Sequence, residues 1–237
     1  MYFEEPEDII LNFVRSRITE LVRRNKDDDA NLANRQTADS QTFNPSALQT
    51  DLVLTNTPVS IVNITVDGSP AYAYQEYNID LDNKTIKFNT GFVGTEEVIV
   101  NYFKGSDWVF PDKPRDDLKR DSYPRIACIQ LTENPDFIEL GSTETNEIVS
   151  FQFDILAYKD QTCIIDTEKK EGVDVVNYLA RKIINAFKDY WVSDVLYVIR
   201  DIDFISNEPI PFDEILNIFR RTVDIQFTFR NMRKLTS

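Results

Sequence analysis

Apolar residues near the N-terminal end of the chain recur at the spacing of a helix. Pro6 suits a first helical turn, acidic residues stand at the positive end of the helix dipole, and arginines stand at the negative end. The apolar face consists of Ile10, Phe13, Val14, Ile18, Leu21 and Val22. The pattern predicts an amphipathic helix over residues 5–24 that docks on a sheet or on a neighbouring element.

The periodicity disappears over residues 25–50. This segment is polar, is poor in large apolar residues and contains the run Asp27-Asp28-Asp29. Such a charge run is typical of a solvated loop. Because a loop of this length is unusual in a compact domain, we expect this arm to be mobile or to lie against a partner.

Apolar and polar residues alternate in several short runs between residues 51 and 105. Asp67-Gly68 is typical of a hairpin turn, and Asp82-Asn83 separates two later runs. The alternating positions are Val62, Ile64, Val66, Tyr77, Ile79, Leu81, Ile86, Phe88, Val98, Val100 and Tyr102. Short strands separated by regular turns predict an inserted all-β, sandwich-like module.

Residues 106–122 form a second polar segment, a linker rich in proline and aspartate. It also carries Trp108 and Phe110, whose side chains are costly to leave in water. We expect these aromatic residues to pack the seam between modules. The alternative is contact with a partner, since aromatic residues are enriched at interface anchors.

The C-terminal part alternates between strand and helix patterns. Strand patterns occur at 125–131, around 149–155, at 196–204 and at 223–229, and an apolar stripe predicts a helix over 167–188. A loop containing Pro135 and Gly141 follows the first of these strands. Together with the N-terminal helix, these elements predict the α+β class. Residues 1–24 and 115–237 would form a small α/β domain, a sheet packed with helices, that carries the β module.

The first strand of that domain begins beside Tyr123-Pro124-Arg125. Proline lacks a backbone N–H and is tolerated at the first residue of a strand. We therefore expect Pro124 to cap the strand, with Tyr123 and Arg125 at its rim. For Arg125, a solvated charge and an inter-subunit contact are equal alternatives.

Charge and composition exclude several kinds of chemistry. The formal net charge is -14, which opposes tight binding to nucleic acid. The chain has no histidine, so it lacks the commonest zinc ligand and the general base of a Ser-His-Asp or Cys-His apparatus. Its two cysteines, Cys128 and Cys163, have no metal-site spacing, and Cys128 is expected to pack in the core.

Two further sequence motifs are incomplete or missing. The stretch DLDNKT, which begins at Asp80, faintly resembles the start of a calcium loop, but Thr85 and Gly91 occupy the positions that need glycine and glutamate. No phosphate-binding glycine motif occurs. We therefore expect no catalytic residue, no metal site, no cofactor and no enzyme activity. No secretory signal and no apolar run of bilayer length is present, so we expect synthesis in a reducing cytoplasm and no membrane association.

Five stretches of the terminal parts resemble the tail terminator and neck (head–tail joining) proteins of tailed phages and viruses. They are FEEPEDIILNFVRSRITELV, SYPRIACIQLTENPD, EIVSFQFDILAYKD, DVVNYLARKIINAF and RRTVDIQFTFR. The inserted module resembles the small β domains that decorate many virion proteins. In that family a sheet packs against helices in a short α/β fold, and copies close a ring at the head-proximal end of the tail.

The resemblance implies a structural virion protein at the head–tail junction, made in the host cytoplasm. Copies would form a ring, a hexamer in that family, through which the genome passes. Neighbouring neck, tail tube, sheath or head-adaptor proteins would be its partners. The candidate residues for contact with copies or partners are Trp108, Phe110, Tyr123 and Arg125.

A peripheral adhesin is the alternative function. The β module contains Tyr72, Tyr74, Tyr77 and Tyr102, and aromatic faces on a β-sandwich could stack on host glycans. Tyrosine is also an ordinary strand residue. A connector would lie on the tail axis, whereas an adhesin would lie at the periphery of the particle.

Overall fold

The computed structural model describes residues 6–18, 22–24, 37–71, 76–80, 83–105, 107–111, 123–137, 145–160, 162–165, 168–188 and 199–231. Two helices lie within these ranges, α1 (Pro6–Arg17) and α2 (Gly172–Lys188). The strands are β1 (Val22–Arg24), β2 (Thr37–Phe43), β3 (Asp51–Val53), β4 (Ser60–Val66), β5 (Ser69–Ala71), β6 (Tyr77–Asp80), β7 (Thr85–Phe88), β8 (Val98–Lys104), β9 (Val109–Phe110), β10 (Arg125–Phe137), β11 (Thr145–Tyr158), β12 (Thr162–Ile165), β13 (Glu168–Glu171), β14 (Ile199–Asp213) and β15 (Ile218–Asn231).

The predicted α+β class, with its small α/β domain of tail-terminator type, is wrong. The described residues form a mainly β protein with four sheets and two helices. The described strands pair antiparallel, except for the short parallel pair of β9 and β10. Three segments account for part of the error, because β1, β2 and β13 pair as strands where a helix or a loop was predicted.

Both helices are shorter than the sequence pattern predicted. The first ends at Arg17, and Val22–Arg24 instead pairs with β12. The second begins at Gly172, because Glu168–Glu171 also pairs with β12. A Cβ atom at Gly172 would lie 2.7 Å from the carbonyl oxygen of Lys159, and its φ is +39°. Glycine therefore permits the close backbone approach at this strand-to-helix junction.

Strand β10 is longer than predicted. It continues past Leu131 to Phe137, with a register shift between Gln130 and Thr132. Pro135, which was expected in a loop, lies opposite Glu147 in the ladder. Edge strands tolerate proline, and beyond Ala127 no described strand pairs with the outer side of β10.

The larger core lies between the two helices and a five-stranded sheet of order β14-β15-β11-β10-β9. The predicted alternation in β11 and β15 is confirmed. Their core side chains are Val149, Phe151, Phe153, Ile155, Val223, Ile225, Phe227 and Phe229. The ring centroid of Phe187 on α2 lies 5.0 Å from that of Phe13 on α1 and 4.9 Å from that of Phe227. Both helices therefore cover the same face of the sheet.

The β module has a separate core. Its two sheets, β2-β8-β4-β5 and β3-β7-β6, enclose Leu52, Leu54, Ile61, Ile64, Tyr77, Ile86, Phe88, Phe92, Val98, Val100 and Tyr102. The predicted turn at Asp67-Gly68 is confirmed, with φ values of 49° and 78°. Strand β2 also belongs to this module, although it lies in the segment predicted to be a polar arm. Of the rest of that arm, residues 25–36 lie outside the described residues, and residues 44–50 form the loop between β2 and β3.

A buried amide joins the module to helix α1. The side chain of Asn12 accepts a hydrogen bond from the Ile61 amide (2.9 Å) and donates one to the Ile61 carbonyl (3.3 Å). Asn12 is only 5% exposed. Three residues further along the helix, the Arg15 Nε donates to the carbonyl of Val109 (3.0 Å) and its guanidinium pairs with Asp107. Helix α1 therefore contacts both the module and the segment that leads back to the large sheet.

Candidate protein-protein interface

Strand β14 forms one edge of the five-stranded sheet. It pairs with β15 from Ile199 opposite Phe229 to Asp213 opposite Ile218, and three register irregularities interrupt the pairing. No described strand pairs with its outer side. Most of its residues are exposed, so this edge presents backbone donors and acceptors to solvent over a long stretch.

Exposed apolar side chains concentrate at this edge. Of ten large hydrophobic residues that are exposed in the described structure, five lie on β14 or in the turn that follows it. We call them the β14 edge patch: Phe204 (41% exposed), Ile205 (62%), Ile210 (36%), Ile215 (95%) and Leu216 (46%). Scattered surface hydrophobics need no explanation, but a concentration of this kind is typical of a protein-protein contact.

The turn that carries Ile215 and Leu216 is held in a defined conformation. The Asp213 carboxylate accepts hydrogen bonds from the backbone amides of Ile215 (3.0 Å) and Leu216 (2.9 Å). The carbonyl of Asn217 accepts a bond from the Lys159 amide (2.9 Å). Two apolar side chains are therefore presented to solvent from an ordered turn, which limits the conformational entropy that a contact there would cost.

Polar contacts fix β14 on its neighbours. The Ser206 hydroxyl donates to Asp224 (2.6 Å), whose other carboxylate oxygen accepts from Gln152 (3.1 Å). Arg221 donates through Nε to the side-chain oxygen of Asn207 (2.6 Å). These bonds tie the strand to β15, and through Asp224 to β11, so the open edge belongs to a well-anchored strand.

The edge is acidic. Strand β14 contains four acidic residues, Asp201, Asp203, Glu208 and Asp213, and one basic residue, Arg200, which gives it a formal charge of -3. Two copies of this strand side by side would therefore repel each other. A favourable partner strand must carry less negative charge than β14 itself.

Among the described strands, none pairs with the opposite edge of the same sheet over most of its length. Strand β9 covers β10 only at Ile126 and Ala127. Strand β10 carries Arg125, Glu133 and Asp136, a formal charge of -1, and it exposes Leu131 (50%). The sheet order places β10 and β14 antiparallel to each other, because three antiparallel pairings separate them.

The four residues predicted as contacts have places within the chain itself. Trp108 is buried in the large core, and its carbonyl accepts a hydrogen bond from the Ile126 amide (2.8 Å). Arg125 is 7% exposed, with its guanidinium carbon 3.6 Å from the ring centroid of the half-buried Phe110. Tyr123 is 4% exposed and packs edge-on against Tyr158, with ring centroids 4.9 Å apart. Phe110 and Arg125 are thus brought together at the junction of β9 and β10, and none of the four lies at the β14 edge.

Sequence reasoning did not identify the β14 edge patch. The pattern around Ile202 and Phe204 predicted a strand but not its exposure. The available signal was the pair Pro209 and Pro211 with Glu208 and Asp213 on either side, since proline within a strand pattern indicates an edge. That signal predicts an open edge, but it does not predict which apolar side chains remain exposed.

Other candidate chemistries find no support among the described side chains. Burial raises the pKa of the Cys128 thiol, which makes it inert, and Cys163 is buried as well. Tyr77 and Tyr102 lie in the module core, so neither presents a ring face to a sugar, and Tyr72 and Tyr74 lie outside the described residues. Within the described ranges, no group of three or more cysteine or carboxylate side chains is placed to hold a metal ion. Neither described helix is long and apolar enough to cross a membrane.

Burial also affects the ion pair of Arg15 and Asp107, which lies beside the predicted contact residue Trp108. The pKa of Asp107 is raised by burial, although the neighbouring Arg15 acts in the opposite direction. This ion pair closes the junction between α1 and β9 and is not placed for chemistry on a ligand.

Compared with known proteins, the chain matches no family model and no curated protein.

Proposed function

We propose that this protein is a structural component of a virus particle that joins copies of itself into a ring at the head–tail junction, through which the genome passes. The observation that carries self-association is the β14 edge patch, an open strand edge with five exposed apolar side chains. The position in the particle is supported by the sequence resemblance alone.

A second copy is the partner that best fits this edge. Because β10 and β14 run antiparallel at opposite edges of one sheet, a neighbour in the same orientation brings its β10 antiparallel to β14. The sheet then continues from copy to copy with regular antiparallel hydrogen bonds. A two-fold pairing of β14 with itself would instead bring together two strands of formal charge -3.

Contacts between two different edges generate a ring when the rotation between copies closes. Such a ring buries the open edges and the apolar patch, both of which are liabilities on an isolated chain. The net charge of -14 suits a channel wall that does not retain DNA, because contacts with phosphates would slow its passage.

Cysteine cross-linking tests the joint directly. Single cysteines at Asp203 on β14 and at Thr132 on β10, both exposed, are introduced into separate preparations. The two native cysteines are buried and do not interfere. We expect a covalent dimer, formed with a short bis-maleimide, only when the two preparations are mixed. A Val173→Cys variant on the exposed face of α2 is the control and should give none.

Three outcomes separate the parts of the proposal. Dimers from Asp203→Cys alone would indicate a two-fold contact and overturn the ring. If native mass spectrometry shows oligomers but no β14–β10 cross-link forms, the copies contact each other through another surface. The β14–β10 contact would then be wrong, but the ring itself would not be refuted. A particle map that shows the protein as a single copy, or away from the tail axis, would refute the function itself.

A further inference from the structure

The β module presents an apolar tip at the end of its strands opposite the contact with helix α1. Its strands run from a base at Ser60 and Lys104, near the contact between Asn12 and Ile61, to an outer end at Val66 and Val98. Strands of seven residues span about 20 Å. The loops at residues 44–50 and 89–97, which we call the outer loops, leave the strands at this outer end.

Leu48 stands in one of the outer loops in an unfavourable conformation. Its φ is +67°, and its side chain is 85% exposed. The other non-glycine residues with positive φ in the described structure are Asp67, Lys84 and Asn217, all polar. A leucine at such a φ is strained by its Cβ, and exposure means that its side chain contributes little to the core. Glycine or asparagine would suit this position of the turn better.

The outer loops are locked to each other. The Leu48 amide donates to the Phe92 carbonyl (2.8 Å), and the Phe92 amide donates to the Gln49 carbonyl (3.1 Å). A Cβ atom at Gly91 would lie 2.9 Å from Leu48 Cα, and one at Gly94 would lie 2.9 Å from the Ala47 nitrogen. The two backbones are thus in direct contact, and glycine is required at both positions.

A carboxylate fixes the second of the outer loops. Glu96 accepts hydrogen bonds from the amides of Val93 (2.7 Å), Gly94 (2.8 Å) and Thr95 (3.0 Å). These bonds lower the pKa of Glu96, the bond from Val93 having the largest effect, so the lock is retained in mildly acidic solution. Val93 itself is 77% exposed. Leu48 and Val93 are therefore presented together by a rigid pair of loops.

We propose that Leu48 and Val93 form a docking tip that inserts into an apolar pocket with a basic rim on a different protein. Strain, exposure and rigid support coincide at this tip, and a pre-organised apolar tip binds at low entropic cost. Exposed carboxylates outnumber cations at this end of the module, where Asp51, Asp67 and Glu97 are exposed and Lys87 lies opposite Asp51 in the ladder.

The same charges select against two other occupants. A second copy of this acidic chain would bring like charges together around the tip. An anionic lipid surface would be repelled in the same way, and two side chains bury too little apolar area to overcome this repulsion. An apolar pocket with a basic rim complements both the two apolar side chains of the tip and the carboxylates at this end of the module.

Three substitutions at Leu48 test whether its side chain serves the fold. Leu48→Asn relieves the strain and should raise the melting temperature by about 2–4 °C, whereas Leu48→Ala keeps the strained Cβ and should leave it nearly unchanged. Leu48→Gly should lie between them, because glycine relieves the strain but loses more chain entropy on folding. A fall of several degrees in Leu48→Asn would show that the leucine stabilises the loops, and the proposal would then fail.

Photo-crosslinking tests the partner. A benzoylphenylalanine placed at Val93 in cells that naturally make the protein should yield one adduct with a different chain. The adduct should disappear with Leu48→Asn, which does not harm the fold, and weaken at least tenfold with Glu97→Lys. The same probe at Val173, also exposed, is the control and should not give this adduct.

The remaining outcomes overturn the proposal. No adduct above the control, an adduct only with copies of the chain, or an adduct insensitive to Leu48→Asn would each refute it. In a separate arm the purified protein is sedimented with vesicles of phosphatidylcholine and phosphatidylglycerol. Binding to vesicles that Leu48→Asn abolishes would assign the tip to a membrane instead.

Discussion

Replacing Asn12 by alanine tests how the module is held on helix α1. In the native protein the Asn12 side chain pairs with both backbone groups of Ile61 at a site that is 5% exposed. Strand β5 covers β4 only from Ile64 to Val66, and the pairing of β4 with β8 is irregular between Ile61 and Asn63. The amide therefore acts as a substitute for the missing strand neighbour.

The size of the effect follows from what the substitution leaves behind. A buried donor or acceptor that loses its partner costs about 1–3 kcal/mol. Asn12→Ala affects one donor and one acceptor, but the bond to the Ile61 carbonyl is long at 3.3 Å and contributes less. We expect the free energy of unfolding to fall by about 2–4 kcal/mol. Asn185→Ala, on the exposed face of α2, is the matched control and should change it by less than about 0.5 kcal/mol.

Urea unfolding followed by circular dichroism measures this difference. Because Asn12 links two separate cores, its loss should also broaden the transition or divide it in two, as the module and the large sheet unfold independently. An Asn12→Ala midpoint and slope equal to those of Asn185→Ala would refute the reasoning. Water would then be satisfying Ile61, and the seam would owe its stability to apolar packing.

Three further predictions concern charge and reactivity. The hydrogen bond from Lys104, followed by that from Tyr102, lowers the pKa of Asp39 to about 2 from 3.8, so its stabilising effect is complete above pH 4 and is lost as pH falls toward 2. Asp39→Asn should reduce the fall in melting temperature between pH 4 and pH 2. An unchanged fall would contradict the assignment. Cys128 and Cys163 should not react with a thiol reagent in the native protein and should both react in urea, whereas rapid labelling of native protein would show that they are accessible. Fluorescence polarisation at physiological salt should show no appreciable binding to duplex DNA, and tight, salt-sensitive binding would count against an acidic channel wall.

The sequence predicted strands best where one face of the strand is buried. Strands β11 and β15 alternate because Phe151, Phe153, Ile225 and Phe227 all contact the helix-covered core. The module strands were predictable for the same reason. In these elements burial and periodicity carry the same information.

Strands held by pairing rather than burial were missed. Strand β2, with sequence TADSQTF, has one large apolar residue and no buried one, yet it pairs with β8 along its whole length. Strand β1 owes its conformation to β12, which is distant in sequence, so a local pattern could not predict it. Strand β13 pairs with β12 directly before it, but its sequence EKKE has no apolar residue and therefore no alternation. The same limit applies to the sites, because the exposure of Ile215 and the positive φ of Leu48 depend on the assembled loops.

Helix α1 connects the two candidate contact surfaces. Asn12 faces Ile61 of the module, and the adjacent Phe13 packs on Phe187 in the core of the large sheet. The direction of the tip at Leu48 is therefore fixed relative to the β14 edge by one short helix. Burying one leucine or valine side chain is worth only about 1.5–3 kcal/mol, so a single tip would bind weakly. In a ring of copies joined at β14, several tips would point in equivalent directions, and their combined engagement would raise the affinity without any new contact. The strength of docking at the tip, but not its chemistry, therefore depends on the ring.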